Sequence, residues 1–221
     1  MADKYCYPNS TILKNKLNLH DKNTLLQAEI ELTSARLFEL QEKPIKGNFD
    51  FNHLCKIHKH IFQDLFSWAG QPRTVDIGKG NIFCFVQNIP SYANSIFSSY
   101  YHDCQSVKHD KEKFVHILTE HYADLNALHP FREGNGRTQR EFTRELCLDC
   151  GYTFDLTKTC HEDMLHASIA SFNGDNRALE NIFQTAIQPI TDYEKHQDRL
   201  RDLLTTMSID DIPTKDESFE I

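Results

Sequence analysis

No apolar run in this chain reaches the roughly 18 residues that a membrane-spanning helix needs. The polar opening Met1-Ala2-Asp3-Lys4 shows no signal-peptide pattern. A disulfide framework is missing too. The seven cysteines are an odd set at irregular spacing with no secretion signal beside them. That combination predicts reduced thiols in a cytoplasmic protein without a membrane partner. Cys147 and Cys150 form one Cys-x-x-Cys, with His161 further on, but the second pair that zinc would want does not exist. Both read as packing residues on a helix face shared with Phe142 and Leu146. His58 and His60 fall on different helix faces, which disfavours a shared metal site. Internal repeats and low-complexity tracts are absent. Basic residues are also short: 24 Lys and Arg stand against 32 Asp and Glu, a formal net charge of -8. An acidic surface argues against non-specific nucleic-acid binding, although it leaves room for a local basic pocket.

What remains is a 221-residue chain with 39% hydrophobic residues, enough for one domain with a substantial core. Residues 1–9 read as an irregular arm. Residues 11–41 read as helical, with Asp21 capping a longer helix through Leu25, Ile30 and Leu37. The break Lys43-Pro44-Ile45-Lys46-Gly47 ends it. A second helix follows Asp50, where Leu54, Ile57, Ile61, Phe62 and Leu65 recur at helical spacing. After Trp68-Ala69-Gly70-Gln71-Pro72, two β-prone runs, Arg73–Ile77 and Ile82–Val86, flank Gly78-Lys79-Gly80-Asn81, which predicts a hairpin. Helices are expected at 90–104, 111–128, 136–150, 159–171 and 176–187, the last two packing around Ile169, Leu179, Ile182 and Phe183. The final 31 residues hold nine acidic and four basic side chains, and so carry -5 of the net -8. Tyr193–Thr206 suits one more amphipathic helix, and residues from Ile209 read as disordered.

The densest chemistry lies between His129 and Arg140: His-Pro-Phe-Arg-Glu-Gly-Asn-Gly-Arg-Thr-Gln-Arg. A Gly-Asn-Gly turn that opens onto a helix offers free backbone N–H groups and a helix dipole to an anion. Arg137 and Arg140, at i and i+3, project from one face of the first turn. Two arginines beside such a nest suit a phosphate chain. Glu133 could hold the divalent cation that accompanies polyphosphates, and His129 at the other mouth of the loop could serve as a base.

This stretch matches, position for position, the signature His-Pro-Phe-x-(Asp/Glu)-Gly-Asn-Gly-Arg-x-x-Arg of the Fic family. The resemblance extends over most of residues 8–190, including the opening Tyr-Pro-Asn-Ser-Thr-Ile-Leu-Lys-Asn-Lys-Leu. It implies a mainly α fold, a Fic-type helical bundle with a small β-hairpin flap. Residues 1–47 would form an N-terminal helical part packed on the core, 48–190 the Fic core, and 191–221 an acidic tail. It also implies a protein adenylyltransferase that moves AMP from ATP to a hydroxyl of a target protein. His129 would be the catalytic base. Gly134, Asn135, Gly136, Arg137 and Arg140 would bind the nucleotide phosphates, with Glu133 holding Mg²⁺. By the same resemblance Lys79 and Gly80 lie over the nucleotide. The target protein would pair with the flap at about Ile77–Cys84, a strand-addition mode tolerant of sequence.

Gly136 is kept where one branch of the family carries lysine and transfers phosphate, which favours nucleotidyl transfer. A second family element, an inhibitory (Ser/Thr)-x-x-x-Glu-(Gly/Asn) helix, has no counterpart; Ser34 and Glu39 stand in the wrong register. The expectation is a toxin whose inhibitory glutamate comes from a separate small antitoxin that caps Arg140. The alternatives are a non-catalytic nucleotide-binding module, the same chemistry with UTP or GTP, or removal of AMP.

Overall fold

The computed structural model describes residues 3–79 and 81–191. Gly80, the side chain of Lys79, and the acidic tail with its expected helix at 193–206 lie outside the described residues. Helix α1 (Lys22–Glu42) starts where Asp21 accepts the Thr24 N–H at 2.8 Å. Helix α2 (Phe51–Phe62) starts where Asp50 accepts the His53 N–H at 2.7 Å. In both, a short acceptor satisfies a first-turn donor that has no partner within the helix. Leu54, Ile57, Ile61 and Phe62 are buried along one face of α2, and Leu65 is buried just past its end.

The first ten residues of the expected N-terminal helix, 11–20, are not helical. Cys6 and Leu13 form an antiparallel bridge. The Asn15 side chain takes the Leu13 and Leu19 carbonyls and the Leu19 N–H, and the Lys16 N–H goes to the Leu65 carbonyl. With those groups paired locally, a helix has nothing to gain there.

Strands β1 (Gly78–Lys79) and β2 (Asn81–Ile82) pair antiparallel, with Gly78 opposite Ile82. The hairpin is therefore far shorter than expected, and apart from Ile82 its strands fall in the stretch read as the turn. The reason lies in the arms. The buried Arg73 side chain donates to the carbonyls of Val75 and Cys84. The Cys84 N–H goes to Ala127 and the Val86 N–H to the Asp76 carboxylate. Beyond Phe83 the arms are joined by side chains, Arg73 to Cys84 and Asp76 to Val86, while the Cys84 N–H is taken by the 111–128 helix, so no longer ladder forms.

The expected helix at 90–104 is two, α3 (Ile89–Phe97) and α4 (Tyr100–Ser106), broken at Ser98 and Ser99. Helix α5 (Lys111–Leu128) carries Phe114, Leu118, Leu125 and Leu128, all fully buried, and packs against α3 and α4. On its other sides it meets α6 (Asn135–Asp149), α7 (His161–Phe172) and α8 (Arg177–Ala186). Such contact on every side makes α5 the central helix. Strand β3 (Tyr152–Phe154) pairs with β4 (Ile187–Pro189).

Leu179 and Phe183 are core residues, but Ile169, expected among them, is 51% exposed. The seven cysteines are all described and all unpaired. Cys147 and Cys150 are buried beside Phe142 and Leu146, and burial holds the Cys147 thiol far above its ordinary pKa. Among the described residues no helix is long and apolar enough to cross a membrane.

Candidate active site

Helix α5 ends at His129, whose left-handed backbone (φ 42°, ψ 60°) turns the chain out of the helix. Its ring nitrogen Nδ1 lies 3.2 Å from the Asn126 carbonyl. A carbonyl only accepts, so Nδ1 carries the proton and Nε2 is the basic nitrogen. The Phe83 ring stacks on the imidazole at 3.7 Å with 10° between the planes. Arg73 braces the same corner: its Nε donates to the His129 carbonyl at 2.9 Å and its backbone N–H to Pro130 at 2.8 Å. The flap and the His129 loop thus share one buried guanidinium.

The turn after it is held from within. Asn135 is buried, accepting the Phe131 N–H at 2.9 Å and donating to the Phe131 carbonyl at 2.8 Å. Its side chain thus holds the loop, and its backbone N–H belongs to the first turn of α6. Gly134 caps α6 at φ 80°, and a Cβ there would stand 2.1 Å from the Phe62 ring. His58, fully buried in α2, accepts the Gly70 N–H on Nδ1 at 2.8 Å. Its Nε2–H donates to the Glu133 carbonyl at 3.0 Å. The imidazole stacks on Phe131 at 3.9 Å, and burial pushes its pKa down to about 4, so it stays neutral.

Arg137 and Arg140 both line a cavity of about 410 Å³, together with His129, Gly134 and Gly136. Its other wall is α7, through Met164, Leu165, Ile169 and Phe172, with Tyr122 and Asn126 of α5 behind. The size and the mix of a polar floor with an apolar wall suit a small organic anion. Arg140 lies over Gly136 and against the Tyr122 hydroxyl, and makes no ion pair among the described residues. The Arg137 guanidinium pairs with Glu29. Arg132 pairs with Asp3 at 2.6 Å. Glu39 bonds Arg36 at 2.8 Å and His60 at 3.0 Å, so it is engaged away from the loop arginines.

Glu133 does not line the cavity. One carboxylate oxygen accepts the Gly134 N–H at 3.0 Å, and the other is the donor that a cation would use. Among the described residues no three His, Cys, Asp or Glu side chains converge as a metal cage. One carboxylate is nevertheless what Mg²⁺ arriving on a polyphosphate requires, because phosphate oxygens and water fill its other positions.

Of the expected site residues, the fold brings His129, Gly134, Gly136, Arg137 and Arg140 around one cavity, with Asn135 beneath them. The residues that sequence reasoning did not single out are Glu29, His58, Arg73, Phe83, Tyr122, Asn126 and the α7 wall. Tyr122 and Asn126 stand on α5 just before His129, and the others come from distant parts of the chain. The exposed apolar positions Leu165 and Ile169 of α7 were the one usable signal, and they read equally well as core.

Residues 48–147 match the model of the Fic/DOC family. The chain is 36% identical over 193 residues to "Probable protein adenylyltransferase Fic" of Salmonella typhimurium, spanning 87% of this chain and 96% of that protein. It is 36% identical over 190 residues to "Protein adenylyltransferase VbhT" of Bartonella schoenbuchensis, spanning 86% of this chain but 40% of that protein. The N-terminal Fic domain of a VirB-translocated Bep effector protein from Bartonella quintana, solved with bound ADP, shares the fold. Its TM-score is 0.79 at 27% identity, covering 85% of this chain and 95% of that one.

Proposed function

Because the chain belongs to the Fic/DOC family, we propose that it is a protein adenylyltransferase, moving AMP from ATP to a hydroxyl side chain of a target protein. The observation that carries this reading is the shared cavity, which His129 and two arginines line together. His129 takes the proton from the incoming hydroxyl as it attacks the α-phosphate, a contribution typically worth about 10²–10⁴ in rate. The backbone of Gly134–Gly136 and the guanidinium of Arg137 hold the phosphates, and Arg140 clamps the γ-phosphate so that the α-phosphate stays in line. Mg²⁺ bound with the nucleotide at Glu133 supplies charge neutralisation of the polyphosphate. The apolar α7 wall is suited to the base.

The target docks at the flap, about Ile77–Cys84, with Lys79 and Gly80 over the nucleotide. We read residues 48–190 as the catalytic core, with 1–47 packed on it and 191–221 as a tail. The chain works in the cytoplasm as a toxin silenced by a separate antitoxin, whose glutamate caps Arg140. Supporting this are the missing inhibitory motif and the pairing of Glu39 with Arg36 and His60 rather than with a loop arginine. If mutating Glu39 released activity from an otherwise silent chain, the antitoxin reading would fail.

Incubation with α-labelled and γ-labelled ATP tests the reaction. Label is expected in protein only from the α position; label only from γ would mean phosphotransfer. His129→Ala should abolish transfer and leave ATP affinity nearly unchanged, which equilibrium binding checks.

A further inference from the structure

Helix α1 lies wholly outside the residues 48–147 that match the family, yet it reaches Arg137 in the cavity wall. The Glu29 carboxylate pairs with Arg137 Nη2. Thr33 Oγ1 accepts from Arg137 Nη1 at 3.1 Å, and its hydroxyl proton goes to the Glu29 carbonyl at 2.7 Å. That second bond aims the Thr33 oxygen at the guanidinium. On its other side the guanidinium carbon lies 4.8 Å from the centre of the Phe62 ring. Phe62 is the same ring that Gly134 packs upon. Three groups from two helices therefore fix a side chain that would otherwise sample many rotamers. The contact is sheltered, with side-chain exposures of 24% for Arg137 and 13% for Glu29.

We infer that Glu29, assisted by Thr33, is a positioning residue that holds the Arg137 guanidinium ready for the polyphosphate; this rests on the proposed nucleotidyl transfer. A guanidinium has five donors. The α1 contacts engage two of them, which leaves three for phosphate oxygens. Arg140, with no carboxylate on it among the described residues, keeps the cavity's positive charge. Glu29 thus orders one arginine without neutralising the pair. Ordering one long side chain is worth about three- to tenfold in a binding or rate constant.

The test measures equilibrium affinity for ATP and steady-state transfer for the full chain and for Glu29→Ala, Glu29→Gln, Thr33→Val, Arg137→Ala and the Glu29→Ala/Arg137→Ala pair. Glu29→Ala is expected to lose about three- to tenfold in ATP affinity and in kcat/KM. Glu29→Gln, which keeps an acceptor, should recover part of that loss. The double variant should be no worse than Arg137→Ala alone, because Glu29 acts only through that arginine. Unchanged or tighter binding in Glu29→Ala, faster transfer, or a loss that adds in full to that of Arg137→Ala would overturn the inference. Should Glu29→Ala fail to fold in a thermal melt, Glu29→Gln and Thr33→Val decide the matter by the same affinities. A wild-type chain that binds ATP but transfers nothing would sink the transferase reading, while the affinity comparison would still judge Glu29.

Discussion

Gly134 shows how a single position serves two demands at once. Its φ of 80° is a conformation that a residue with a Cβ holds at a cost of about 1–2 kcal/mol. A Cβ there would also meet three Phe62 ring atoms within 2.9 Å, and overpacking of that kind costs about 1–3 kcal/mol more. Gly151 supplies the control: its φ is 88°, but nothing lies within 4 Å of a Cβ. Gly151→Ala is therefore expected to lower the unfolding midpoint modestly, and Gly134→Ala distinctly further. Only Gly134→Ala should also weaken ATP binding, because the displaced turn carries the N–H groups of the α6 terminus. Urea titration and nucleotide affinity on the two variants check this; equal penalties would mean that Phe62 yields freely. The turn's glycines were legible as an anion nest because a local pattern encodes them. The ring beneath them was not, since Phe62 is separated from Gly134 by the whole flap and α3–α5.

Between elements, the joints matter more than the helices. Helix α2 ends at Phe62 rather than past Leu65, but its start and the whole of α5 could be read from sequence to the residue, because caps and periodicity are local. The flap could not, because its arms answer to Arg73 and to the α5 carbonyl of Ala127. The α7 wall could not either, since a helix face that lines a cavity has the same spacing as one that lines a core. His58 is the joint between α2, the Trp-Ala-Gly turn and the Glu133 carbonyl, and it is neutral in the fold, its pKa moved from 6.5 to about 4. In the unfolded chain it protonates near 6.5. Between roughly pH 6.5 and 4 the unfolded state therefore binds more protons, and stability falls as the pH falls. The contribution is complete above 6.5 and no longer changes below about 4. His58→Phe keeps a ring on Phe131 but leaves the Gly70 N–H and the Glu133 carbonyl unpaired. It should be less stable at neutral pH and show a shallower loss of stability over that window. Urea midpoints of both chains from pH 7 to 4 measure it, and parallel curves would contradict a neutral buried His58.

At the scale of the molecule, the part of the chain that matches the family is smaller than the part that holds the site together. Residues before 48 supply Leu25 and Leu40 to the core, at 7% and 1% exposure, and two such leucines are worth about 3–6 kcal/mol. They also supply polar ties to the later helices. The Leu40 carbonyl accepts from Arg144 at 2.9 Å, the Ile45 N–H goes to the buried Glu145 at 3.2 Å, and Arg36 bonds Asp64 at 2.7 Å. Removing residues 1–47 would take one partner each from Arg144, Glu145 and Asp64, the first two keeping Glu141 and His53, and would expose one face of α2. Against a typical total stability of about 5–15 kcal/mol, that loss is large enough to abolish the fold rather than weaken it. A chain beginning at residue 48 is accordingly expected to lack a cooperative thermal transition and to bind ATP no better than denatured protein, even at saturating Mg²⁺-ATP. Calorimetry and near-ultraviolet circular dichroism on the two lengths decide it. A shortened chain that still melts cooperatively near the full-length midpoint would show that α1 is an appendage to the core. In that case Arg137 would have to be ordered by Phe62 alone.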